Sequence, residues 1–126
     1  MSTQLISFPR RFQMWAYTVG HGELLLRSPK APGLPTRIDV LFKNVSGIHL
    51  PTLSDGLQIS EATEKEETKL RSQLSSSRLE GRKVFVVRVE GFMGYVIAGV
   101  VAWHEDKGEY YEPSFFQLAS NEKLQT

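Results

Sequence analysis

Imidazole is the commonest metal ligand in proteins and the usual general base at neutral pH, and the chain carries three of them, on His21, His49 and His104. No two stand at the i, i+2 or i, i+4 spacing that presents a pair of ligands to one ion. His104 is followed directly by Glu105 and Asp106, so it is the nucleus of a metal or acid-base site if the fold brings further ligands to it. Cysteine is absent, which removes thiolate ligands, thiol nucleophiles and disulfides and fits a reducing, cytoplasmic setting. No serine stands in the Gly-x-Ser-x-Gly turn of a hydrolase nucleophile. Gly20-His21-Gly22 has neither the third glycine nor the Lys-Ser/Thr ending of a phosphate loop, and strand-type residues follow it where such a loop needs a helix. Gly91-Phe92-Met93-Gly94 has the outline of the glycine loop in KH-type RNA modules, but that loop joins helices, and its middle positions are apolar here. The residue chemistry assigns no catalytic residue, no metal and no cofactor, and it points away from an enzyme.

Binding is the remaining class. The net charge is +1, so bulk electrostatics select no partner. The distribution is uneven. Residues 1–50 carry Arg10, Arg11, Arg27, Lys30, Arg37 and Lys43 against Glu23 and Asp39, whereas residues 105–112 carry Glu105, Asp106, Glu109 and Glu112 against Lys107. Two such segments neutralise each other if the fold brings them together. The basic half has an alternative use in holding single-stranded nucleic acid, with rings stacked on bases and cations on phosphates. Arg10, Arg11, Phe12, Arg27 and Arg37 would form that surface, but a near-neutral domain lacks the basic stripe of such modules, which argues against a nucleic-acid partner.

Two hairpin-like blocks, Phe12 to Ser28 and Lys83 to Trp103, must position these side chains. In the first, a two-residue loop at His21-Gly22 sets Val19 opposite Leu24 and Tyr17 opposite Leu26. Trp15, Tyr17, Val19, Leu24 and Leu26 then share a core face, and Phe12, Met14, Ala16, Thr18, Leu25 and Arg27 share the other. In the second, Glu90 pairs with Tyr95 or with Met93, and either register gives the same faces because the shift is even. One face holds Phe85, Val87, Val89, Val96, Ala98, Val100 and Ala102; the other holds Val84, Val86, Arg88, Tyr95, Ile97, Val101 and Trp103. Gly99 in mid-strand signals a bulge or a close approach. Between the blocks, the three prolines from Pro29 to Pro35 make a stiff connection. Alternation over Thr36 to Lys43 reads as a half-exposed strand, and short strands are predicted within Val45 to Leu50 and Leu57 to Ile59. Thr63 with Glu66 is a capping box, which starts a surface helix from Glu64 to Gln73 or Leu74. Tyr110-Tyr111 and Phe115 to Leu118 could form a further edge strand. The longest apolar run, Tyr95 to Trp103, is too short to span a bilayer, and no membrane association is expected.

The fold expected is mainly β, with α+β as an outer possibility: an antiparallel β-sandwich or small barrel of about six to eight short strands with one surface helix in the 61–77 region. Residues 1–126 form one domain, frayed over 1–10 and 120–126. The function expected is a soluble, non-enzymatic protein-interaction or regulatory module whose partner is another protein or a second copy of the chain. Its contact residues would be Phe12, Met14 and Leu25 on the apolar second face, with Arg27, Arg37 and Asp39 as the rim. Edge strands at Thr36 to Lys43 or Phe115 to Leu118 offer backbone pairing as another mode.

Overall fold

A computed structural model describes residues 3–74, 79–116 and 118. Among the described residues the strands are β1 (Thr3–Thr18), β2 (Glu23–Ser28), β3 (Arg37–Lys43), β4 (Gly47–His49), β5 (Leu53–Glu61), β6 (Lys83–Val89), β7 (Phe92–Ala98) and β8 (Val100–Asp106), and the helix α1 (Glu64–Arg71) lies between β5 and β6. All eight lie in one sheet of order β4-β7-β6-β5-β1-β2-β3-β8, and every pairing is antiparallel. The mainly β fold with a surface helix, α1, in the 61–77 region is therefore as expected. Among the described residues no helix is long and apolar enough to cross a membrane.

The sheet closes on itself. β3 runs into β4 and β7 runs into β8, and these two bent lengths stay paired through their corner, where Gly99 N–H donates to the Lys43 carbonyl and Ser46 N–H to the Ile97 carbonyl. The closure is that of a barrel, with β1 bridging its two halves by pairing with β5 over Thr3 to Gln13 and with β2 over Gln13 to Thr18. A strand that serves both halves has to bend, and β1 does so at irregularities between Gln4 and Ile6, Phe8 and Arg11, and Met14 and Ala16. Inside lie Phe12, Leu24, Leu26, Val40, Phe42, Ile59, Phe85, Val87 and Val96, among others. Outside, Leu25, Leu41 and Leu118 form a second cluster and Leu79, Val84 and Ile97 a third.

Several sequence expectations are corrected here. The first hairpin closes with Thr18 opposite Glu23, so its loop has four residues, with Gly22 at φ 60°. Val19 is 84% and Tyr17 43% exposed. The irregularity at Trp15 reverses the parity of what precedes it: Phe12 and Met14 join Leu24 and Leu26 inside, and Trp15 with Ala16 packs outside on Leu25. The second hairpin turns at Glu90-Gly91 with Val89 opposite Phe92, and its faces are as expected up to Ala98. Gly99 then flips them, so Val101 packs on the inner core and Val100 is exposed. β3 is not half-exposed; it is central, paired with β2 and β8, and buried from Arg37 to Phe42. Residues 3–10, expected to fray, pair with β5 from Thr3. Tyr110, Tyr111, Phe115 and Phe116 form turns rather than an edge strand, and residues 120–126 lie outside the described residues.

Candidate functional site

The outer face of β2, β3 and β8 carries the densest polar construction among the described residues. Alternation places Arg27 on β2, Arg37 and Asp39 on β3, and His104 and Asp106 on β8 on that face, in cross-strand register Arg27 to Asp39 to His104 and Arg37 to Asp106. Arg27 donates from Nε to Asp39 Oδ1 at 2.7 Å and from Nη2 to Oδ2 at 3.0 Å. Arg37 makes the same fork to Asp106, both bonds at 3.0 Å. A buried guanidinium is tolerable only with its charge matched and its N–H groups used. The remaining donors reach the segment after β8: Arg27 Nη1 donates to the carbonyls of Tyr110 and Glu112, and Arg37 to those of Glu109, Glu112 and Pro113.

That segment, residues 107–116, therefore lies as a strap across the barrel wall. Gly108 permits its approach, because a Cβ there would run into the Arg37 guanidinium. Lys30 pairs with Glu109 at 2.7 Å, and Leu118 at the far end fills a socket on Leu25 and Leu41. The basic first half and the acidic stretch at 105–112 thus meet in the fold. Around the strap sit aromatic rings. Trp15 lies under the Arg27 guanidinium, 4.9 Å from the ring centroid, and takes Tyr110 edge-on at 5.0 Å and Tyr111 at 6.1 Å. Phe115 stacks on His104 at 3.8 Å with planes 9° apart. Tyr111 is 83%, Phe115 61% and Tyr110 38% exposed.

The predicted contact residues are all accounted for, and none forms an open face. Phe12 lies in the inner core and Met14 packs against it, Leu25 lies under the strap, and Arg27, Arg37 and Asp39 are buried as strap anchors. The supposed second face is split: Phe12 and Met14 turn into the interior, and Leu25 on the outer face is covered by the chain itself. The five residues of the nucleic-acid alternative are dispersed. Arg10 donates to Ser28 and Thr36 side chains and to the carbonyls of Ser28, Pro29 and Thr36, holding the β2–β3 connection. Arg11 pairs with Asp55 on β5, Phe12 is interior, and Arg27 and Arg37 are spent on carboxylates.

The histidines are not gathered either. His21 is in the β1–β2 turn, His49 ends β4 against the rings of Phe92 and Tyr95, and His104 is on β8. Among the described residues no three His, Asp or Glu side chains are placed to hold a metal ion. His104 Nδ1 is buried with no hydrogen bond among the described residues, 3.5 Å from Asp106 Oδ2. Both Asp106 oxygens already accept from Arg37, and those bonds hold its carboxyl below the usual carboxylate range, aided by the Gly108 N–H and opposed by burial. An acid-base dyad needs a shared proton at hydrogen-bond distance, and this pair has none. A cleft of about 470 Å³ opens beside it, lined by Arg37, His104, Asp106, Ser114 and Phe115.

No family model, curated protein or solved structure matches the chain. Sequence reasoning missed Trp15, Tyr110, Tyr111 and Phe115 as one surface. The available signal was the opposed charge of the two segments, which locates the strap but does not show which rings it leaves exposed.

Proposed function

We propose that this domain is a non-enzymatic protein-interaction module of the cytoplasm, and that its contact surface is the strapped outer face with Tyr110, Tyr111 and Phe115 as anchors. One observation carries the reading: Tyr111 and Phe115 are largely exposed, and Tyr110 partly so, on a segment whose backbone is pinned by two buried arginines. Exposed aromatic side chains are the commonest energetic centres of protein interfaces, and fixing their backbone beforehand lowers the ordering cost of binding. The absence of cysteine supports the compartment. The test compares proteins captured from cell extract, and sedimentation at micromolar concentration, for the native chain and for Tyr111→Ser with Phe115→Ser. Both sites are exposed, so the double variant keeps its fold. Association is expected to fall about tenfold or more, the loss of one hot spot. The reading fails if the variant retains the same partners and the same association state.

A further inference from the structure

Helix α1 is built from within. Thr63 and Glu66 form a reciprocal capping box, and Glu67 pairs with Arg71 one turn on. It has no buried residue. From the helix Leu70, with Ala62 before it and Leu74 beyond it, packs partly on Leu79, Val84 and Ile97, so the helix lies lightly on the outer face of β6 and β7. The space beneath is a cavity of about 380 Å³ whose apolar lining is Leu70, Val86, Met93 and Tyr95. Met93 is 59% exposed. This volume falls in the range of small-molecule pockets, which join an apolar lining to a few fixed polar groups.

The polar lining is Lys65, Glu66, Lys69 and Gln73, two cations against one carboxylate. Lys65 and Lys69 line the cavity one helical turn apart and share a side of the helix. Neither makes an ion pair with a described residue. The lining carboxylate is committed: Glu66 accepts from the Thr63 N–H and from Arg88, so its charge is met by the cap and a cation and not by either lysine. We propose that this cavity binds a small anionic amphiphile, a medium-chain carboxylate, whose chain lies on Leu70, Val86, Met93 and Tyr95 and whose head meets Lys65 and Lys69. Removing its methylenes from water favours binding, and the two ammonium groups select an anion over a neutral molecule of the same length. This site is separate from the strapped face and does not depend on its function.

The test titrates octanoate, below its micelle concentration, and 1-octanol into the full chain, with the Met93 methyl and Tyr95 ring resonances as readout. Octanoate is expected to shift both saturably and to bind more tightly than octanol. Lys65→Gln with Lys69→Gln, two exposed positions on the helix, should weaken octanoate about tenfold, equivalent to about 1.4 kcal/mol, and leave octanol unchanged. The proposal is overturned by a lack of saturation at millimolar octanoate, by equal octanoate affinity in the lysine variant, or by shifts away from Met93 and Tyr95. It is also overturned if the same resonances move with protein concentration alone, which would put a second copy in the cavity.

Discussion

A guanidinium with almost no solvent contact depends on its partner, and Arg27 with Asp39 is the clearest instance, with side chains 1% and 2% exposed. The pair is worth little beyond an apolar pair of the same shape, because both charges lost their hydration on folding. Breaking it is another matter. Arg27→Met leaves the buried Asp39 without its forked guanidinium partner and is expected to cost about 3–5 kcal/mol, read as a fall in the urea midpoint. Adding Asp39→Leu removes the stranded carboxylate and is expected to restore a large part of that loss. A double variant no more stable than the single one would mean that Arg27 acts mainly through the carbonyls of Tyr110 and Glu112. At this scale the sequence was partly legible: Arg27, Arg37 and Asp39 stood out as a set. Their use could not be read, because carbonyl acceptors belong to every residue and leave no mark in the sequence.

Among the elements, α1 was the most legible, since its capping box and acidic first turn are local features. Its end at Arg71 rather than Gln73 or Leu74 reflects how little of it is held by packing. Thr63→Ala removes the cap and is expected to cost about 1 kcal/mol. That loss should appear as roughly fivefold faster amide exchange within α1, while the amides of β2 and β3 keep their protection. Equal acceleration in both would show that helix and barrel open together. The strands were legible as strands from their alternation, but their faces were not. One extra residue at Trp15 and another irregularity at Gly99 each invert the parity of all that lies beyond, and a bulge leaves hardly any signal in composition.

For the whole molecule, the charge halves that balance to +1 are the two sides of one contact, so acid should loosen it. The carboxyls of Asp106, through Arg37, and Glu66, through the Thr63 backbone N–H and then Arg88, are both held below their ordinary range. A carboxyl with a lowered folded pKa stabilises fully above the unfolded value, about 4, and loses that contribution as the pH falls through the folded one. The urea midpoint is expected to be flat near neutrality and to drop below about pH 4. Asp106→Asn should flatten part of that drop; an unchanged slope would remove the strap anchor from the account.

The sequence by itself determined a cysteine-free, mainly antiparallel β fold, the place of most of its strands and of its helix, and the opposed charge of its two segments. These follow from local propensity, alternation and side-chain type, all of which act within a few residues. Tertiary structure alone decided that the sheet closes as a barrel, that β3 is central, and that the chain's own strap covers Leu25, Leu41 and the two arginine–carboxylate pairs on the outer face. Closure joins residues far apart in the chain and bends β1 at points set by the ring's geometry, so the choice of buried face is made between distant strands and not within any one of them.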